Sequence, residues 1–458
     1  MARILFVMLP SKSHVLASLR LANELRDRGH EITYSSVCGL PDEFDVDEIV
    51  EQAGFTFRPL YPGFQDRIGK VKSLRTGEQR THVRTICRDK GRFLGFFESK
   101  FLPYSDWWNE YRPDLLVIDT WVNWINILCI AKAAREGVPC ATLHVMLPHA
   151  KENGRPPLTL DMTPPTTVRD RIALWWHWKR ERISLCANSI VPRLTGAFPL
   201  YDLLSRGRWL ASELAKRNGL GPDNLVYDTS FHFLYLKTTE LILNDEALDF
   251  PGSSRKGRHY IGPCIQLNRT EAPDFPWERL KQDVPIVYCA LGTYYDRFSG
   301  ANLAMDVVRD VAIAHPEWQF VLAGREAVPG RQAPANVIEV RWAPQCDLLA
   351  RASVMIGHGG MGSIKEALYC GVPLIVFPHL HSAFLNDANG NAARIRFHRL
   401  GHVGARQDMN GPRLGELIQE TLSDEGIRRN CARMSRLMRD SDSPAKRCQI
   451  VESLCLQH

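Results

Sequence analysis

A chain of 458 residues exceeds what one hydrophobic core ordinarily serves, since single cores stop growing near roughly 250 to 300 residues, so length alone points to two domains. With 45% hydrophobic and 24% charged residues the composition excludes a disordered chain, and its apolar runs are too short to span a bilayer. The 57 basic and 51 acidic side chains leave a net charge of +6, well below the clustered excess of a nucleic-acid binder. Twelve cysteines without a Cys-x-x-Cys pair fit neither a zinc site nor a disulfide framework, so a reduced, cytoplasmic protein without a metal is expected.

The chain opens with an apolar run, Ile4 to Leu9, too short for a secretory leader and read as a buried strand. Val15, Leu16, Leu19, Ala22 and Leu25 follow at helical spacing, and Gly29 stops that helix before a second strand, Glu31 to Ser36. Phe55 to Leu60 and Leu115 to Ile118 read as strands, Asn123 to Arg135 as a helix, and Cys140 to Met146 as a further strand after the Gly137-Val138-Pro139 turn. Two stretches read as insertions on this scaffold, at about 66–92 and 150–215. The first carries nine Lys or Arg against three acids, and the second contains Leu174-Trp175-Trp176-His177-Trp178-Lys179-Arg180-Glu181-Arg182. Clustered Trp beside basic residues suits an apolar acceptor entrance or a peripheral membrane contact, and suits a buried helix face as well. Residues 263–283 read as a linker, after which Ile286 to Leu291, Gln319 to Leu322, Val337 to Val340, Val354 to Ile356 and Leu374 to Phe377 form a second strand series. Strands alternating with helices predict two parallel α/β sheets, a first domain over 1–262 and a second over 284–440. A last helix, in 441–458, is a candidate for crossing back to the first domain.

Two constellations carry chemistry. In the second half, a strand ending at Ile356 feeds His358-Gly359-Gly360-Met361-Gly362-Ser363 into a helix that bears Glu366. Free N–H groups and the helix dipole at such an N-terminus favour a phosphate, glycine lets the anion approach closely, His358 and Ser363 add donors, and Glu366 can accept from ribose hydroxyls. In the first half, His14 follows the first strand and Asp119 lies just past Leu115 to Ile118, which puts both at the carboxyl edge of one sheet, where ligands of open α/β folds bind. An imidazole can take a proton from an attacking hydroxyl while a carboxylate on its other nitrogen fixes the tautomer.

The succession Trp342-Ala343-Pro344-Gln345, His358 to Ser363, Glu366 and Gly371-Val372-Pro373 resembles the nucleotide-sugar signature of the family 1 glycosyltransferases of plant secondary-metabolite, macrolide and carotenoid type. The resemblance implies the GT-B fold, two Rossmann-like domains facing each other across a cleft. It implies an inverting transfer of a sugar from a UDP- or dTDP-sugar to a hydroxyl of a small, apolar natural-product acceptor, with the donor as co-substrate and no further cofactor. It places Trp342 on the base and Gln345 near the ribose. His358, Gly360, Gly362 and Ser363, joined by Gly292 and Thr293 of Ala290-Leu291-Gly292-Thr293, fall at the diphosphate, Glu366 at the ribose hydroxyls and Asp387 at the sugar. His14 and Asp119 occupy the positions of the family's acceptor-activating dyad. The chain departs from the pattern in three places: Ser13 precedes His14 where Gly is usual, the Gln that commonly follows the Asp is Ala388, and Pro378 to Asp387 is longer than the family spacing. A nucleotide-sugar epimerase of the same fold and a non-catalytic nucleotide-sugar-binding partner protein are the competing readings. Monomer and homodimer are both compatible with the sequence.

Overall fold

A computed structural model of the protein describes residues 1–37, 46–62, 90–195, 208–231, 233–252, 255–267, 274–281, 283–292, 301–324, 333–380 and 387–456. The insertion expected at 66–92 falls almost wholly outside them, as do Thr293 and most of the longer loop between Pro378 and Asp387.

The first half builds β1 (Arg3–Val7), α1 (Lys12–Asp27), β2 (Glu31–Ser36), α2 (Asp47–Gln52), β3 (Thr56–Pro59), α3 (Lys90–Tyr111), β4 (Leu115–Asp119), α4 (Ile127–Glu136) and β5 (Cys140–His144). It continues with α5 (Val168–Thr195), α6 (Arg208–Arg217), a short antiparallel pair β6 (Leu225–Val226) and β7 (Tyr235–Leu236), then β8 (Thr239–Ile242) and β9 (Arg258–Tyr260). Its sheet runs β3-β2-β1-β4-β5-β8-β9, every neighbouring pair parallel. The second half builds β10 (Ile286–Ala290), α7 (Ala301–Ala314), β11 (Gln319–Ala323), β12 (Val337–Val340), α8 (Gln345–Leu349), β13 (Val354–Gly357), α9 (Met361–Tyr369), β14 (Leu374–Val376), α10 (Asp387–His398) and β15 (Gly401–Val403). Its sheet runs β12-β11-β10-β13-β14-β15, again all parallel. The helices α11 (Gly411–Ser423), α12 (Glu425–Ser441) and α13 (Pro444–Cys455) close the chain.

A parallel sheet covered on both faces needs strands that are apolar on both, which is why the inner strands β1, β4, β5, β10, β11, β13 and β14 read as continuous runs rather than alternations, while β3 at one edge is partly exposed. In β1, Ile4 and Phe6 pack with Val15, Leu19 and Ala22 of α1, while Leu5 and Val7 join the cluster on the opposite face. The helix expected from Asn123 starts only at Ile127. The Asn123 and Asn126 side chains accept from the N–H groups of Ile125 and Asn123, a local alternative to helical pairing.

Polar contacts bind the halves directly. Lys365 of α9, buried, donates Nζ to the carbonyls of Leu243 and Pro263 at 2.8 and 2.9 Å. Arg394 of α10 places Nε and a terminal nitrogen on Asp249 at 2.8 and 2.6 Å, and the Gly390 N–H meets the Leu158 carbonyl at 2.9 Å. Burial alone would raise the Asp249 carboxyl, but the Arg394 and Arg155 guanidiniums and the Tyr260 hydroxyl hold it well below the usual carboxylate range. Helix α13 packs on α1: Arg447, wholly buried, engages Glu24 and Asp442, and Cys448, Val451 and Leu454 join the core beneath β1. Among the described residues no helix is long and apolar enough to cross a membrane.

Candidate active site

In an open parallel sheet a crevice opens where the strand order reverses, because the two flanking crossovers leave in opposite directions. The first sheet reverses between β1 and β4, the second between β10 and β13. Both constellations sit at these two points.

At the first, the register Val7↔Ile118 brings the chain leaving β1 beside the last residue of β4. His14, in the first turn of α1, places Nδ1 2.7 Å from Oδ2 of Asp119. Asp119 is completely buried. Its carboxylate also accepts from the Leu9 N–H at 3.4 Å and, through Oδ1, from the Trp121 N–H at 3.2 Å. A carboxylate that accepts from Nδ1–H keeps the proton on that nitrogen and leaves Nε2 as the basic one. A second histidine of this sheet edge, His144, bonds to the Thr120 hydroxyl at 3.0 Å. Burial, helped by Arg258 and Arg255, pushes its pKa down to about 3, so it makes a poor base near neutrality.

The apolar surroundings of the dyad are not marked by any motif. The Trp121 ring lies 4.9 Å from that of His14, stacks on Phe233 at 4.5 Å and donates its Nε1–H to the Met146 sulfur. Trp121 could have been noticed two residues beyond Asp119. Phe231 and Phe233 arrive from a distant segment near β7 that carries no local signal.

At the second point the register Ala290↔Gly357 sets Gly292 beside His358. Gly292 has φ +89°, and a Cβ there would stand 2.5 Å from the His358 ring; a Cβ on Gly360 would meet the same ring at 2.5 Å. Only two glycines can flank the imidazole this closely. Gly360 is the N-cap of α9 and offers no side chain to its N–H groups, no acid stands in the first turn, and the space around Gly362 is open. Gln345, at the start of α8, donates to Glu366 at 2.6 Å, lies 3.5 Å from the Ser363 hydroxyl and accepts from Tyr288 of β10 at 3.0 Å. Tyr288 escaped the sequence reading, although a phenol inside an apolar strand is a polar group in want of a partner. Trp342 is left 55% exposed beside this cluster in the chain. Asp387 opens α10 and accepts from Asn391, whose amide also reaches the Gly359 carbonyl at 2.9 Å, tying Asp387 to the Gly-rich turn. The geometry therefore gathers Gln345, His358, Gly360, Ser363, Glu366 and Gly292, and joins Asp387 through Asn391.

Residues 318–454 match the family model described as Erythromycin biosynthesis protein CIII-like, C-terminal domain. The demethyllactenocin mycarosyltransferase of Streptomyces fradiae is 24% identical, the match covering 99% of this chain and 87% of that one. Among solved structures, the glycotransferase of kitacinnamycin superposes with TM-score 0.65 at 22% identity, over 99% of this chain and 98% of that one. A spinosyn rhamnosyltransferase complexed with thymidine diphosphate gives 0.59 at 16%, over 98% and 100%. Fold and relatives together define a glycosyltransferase of the GT-B class, and the epimerase and non-catalytic readings are not favoured. The chain is similar over nearly its whole length to a natural-product glycosyltransferase, in line with its resemblance to the family 1 glycosyltransferases.

Proposed function

We propose that the protein moves a sugar from a UDP- or dTDP-sugar to a hydroxyl of a small apolar acceptor, with inversion at the anomeric carbon. The observation that carries the mechanism is the 2.7 Å bond from His14 Nδ1 to the buried Asp119 carboxylate, which leaves Nε2 to remove the acceptor proton. As the hydroxyl attacks, Asp119 stabilises the imidazolium that forms. The donor binds on the second half. Its diphosphate lies at the uncapped N-terminus of α9 with His358, Gly292, Gly360, Gly362 and Ser363. The nucleoside lies on Trp342 with Gln345 and Glu366 at the ribose, and Asp387 receives sugar hydroxyls. Oriented N–H groups and the helix dipole stabilise the leaving diphosphate without demanding a metal. An acceptor with apolar rings is supported by the Trp121, Phe231 and Phe233 wall beside the base, and the demethyllactenocin mycarosyltransferase among the relatives is consistent with a small-molecule acceptor. A cytoplasmic location accords with this chemistry.

The test is release of nucleotide diphosphate from a panel of UDP- and dTDP-sugars with apolar polyol or phenolic acceptors. His14→Ala is expected to lower turnover by about 10²- to 10⁴-fold while nucleotide affinity stays near the wild-type value. Near-normal turnover in that variant would remove His14 from the mechanism.

A further inference from the structure

The exposed surface of α5 carries a stripe of apolar side chains. Val168, Ile172, Trp175, Trp176 and Ile183 fall on one side of the helix and are all exposed, Trp175 at 51% and Trp176 at 61%. Lys179 lies on the same stripe, its Nζ 5.2 Å from the centre of the Trp175 ring. Arg169, Arg171, Arg180 and Arg182 flank the stripe and are exposed. The inner face is formed by Leu174 and Trp178, both buried, Trp178 donating to the Arg155 carbonyl at 2.8 Å. Trp178 is thus a core residue, the buried helix face that the sequence left open for this cluster, while Trp175 and Trp176 are exposed.

The two acids of this stretch turn away from the stripe. Asp170 accepts from the N–H groups of Thr166 and Thr167 at the helix start, and Glu181 accepts from the Thr159 hydroxyl at 2.8 Å. What faces outward is therefore apolar along the centre and cationic along both borders, over a length of about 24 Å for sixteen residues. Below it an open cleft is lined by Lys151, Trp175, Trp178, Lys179, Arg182 and Asp228, three cations against one carboxylate, with Arg182 and Asp228 3.9 Å apart. A protein partner would have to bury this many cations against matching acids. A bilayer of anionic phospholipid meets the pattern without further fitting: Trp and Ile enter the headgroup boundary, Lys and Arg reach phosphates, and Lys179 keeps its stem among the apolar side chains while its ammonium reaches the phosphate layer.

We propose that this face of α5 seats the protein on an anionic phospholipid surface, with the cleft at Lys151 and Lys179 receiving a lipid phosphate. The contact is peripheral and reversible. It is independent of the assignment of His14 and Asp119, neither of which lies on α5.

The test is co-sedimentation of the full chain with vesicles of phosphatidylcholine containing phosphatidylglycerol, compared with phosphatidylcholine alone, at low and high salt. Each basic side chain near an anionic surface contributes about fivefold, so binding to the anionic vesicles is expected to exceed that to neutral ones by more than about tenfold and to fall with salt. The double variant Trp175→Ser with Trp176→Ser, and separately Lys179→Glu with Arg180→Glu, should each reduce it about tenfold or more. All four side chains are exposed, so both variants should keep wild-type nucleotide affinity, which serves as the control for folding. Absence of salt-sensitive binding overturns the proposal, as does binding that neither variant weakens. A concentration-dependent dimer in sedimentation velocity that the Trp double variant abolishes, with no vesicle binding, would assign the face to a second copy of this chain instead.

Discussion

Asp119 accepts three hydrogen bonds, from His14 Nδ1, from the Leu9 N–H and from the Trp121 N–H, and only a carboxylate has two oxygens to meet them. An amide of the same shape has one. In Asp119→Asn the amide oxygen can serve either the Trp121 side or the His14 side, and the NH₂ group then opposes a backbone N–H or the imidazole. Either choice disturbs the tautomer or breaks a buried bond, and both remove the charge that favours imidazolium. The variant should therefore lose about 10²- to 10⁴-fold in turnover, with nucleotide affinity retained, and turnover measured at saturating donor checks this. A loss confined to the acceptor KM would show instead that Asp119 shapes the pocket and does not tune the base.

At the scale of elements, what the sequence made legible were the segments whose own composition determines their structure. The central strands of both sheets read out because burial on two faces demands unbroken apolar runs, whereas the short strands β8, β9 and β15 were not marked, β9 and β15 being only half-buried; the turn from Gly357 into α9 read out because its glycines are demanded by the His358 ring between Gly292 and Gly360. The rest was hidden by distance along the chain. Phe233 on Trp121 and Glu181 on Thr159 are contacts that no local pattern announces, and the start of α4 was displaced because two asparagine side chains compete for the backbone. The turn gives its own prediction. In Gly360→Ala a methyl would fall 2.5 Å from the His358 ring, so the imidazole must swing away from the N-terminus of α9. Gly360 is the N-cap of α9, where Ala is a poorer residue than Gly, so thermal stability should fall slightly, while affinity for UDP and dTDP should fall by about 1.5 to 3 kcal/mol, the usual cost of losing a hydrogen bond to a charged group. Equal nucleotide affinity by calorimetry in wild type and variant would detach His358 from the diphosphate.

For the whole molecule, the carboxyl edges of the two sheets are held in apposition by buried polar groups, Lys365 on the carbonyls beyond β8 and Arg394 on Asp249, so cleft geometry and folding stability share the same contacts. Beneath that edge lie two histidines the proposed reaction does not use. His149 is packed edge-on against Phe231 and Tyr235, and burial pushes its pKa down to about 3, as it does for His144. An unfolded histidine binds its proton near pH 6.5. Between that value and about 3 the unfolded chain therefore holds protons that the folded chain refuses, so stability is lost as pH falls from about 6.5, and each histidine adds about 1.4 kcal/mol per pH unit to the slope. Asp249, whose carboxyl is held low, adds to the loss only below about pH 4, where an unfolded aspartate takes its proton. The two contributions are thus separable by pH. His149→Phe, apolar like the rings it touches, should flatten the slope between about pH 6 and 4.5 by about 1.4 kcal/mol per unit while leaving the carboxylate-dependent loss at lower pH in place. Denaturant unfolding of both proteins across this range measures the difference, and identical slopes would mean that His149 is protonated in the fold and that its burial among aromatic rings is looser than the packing describes.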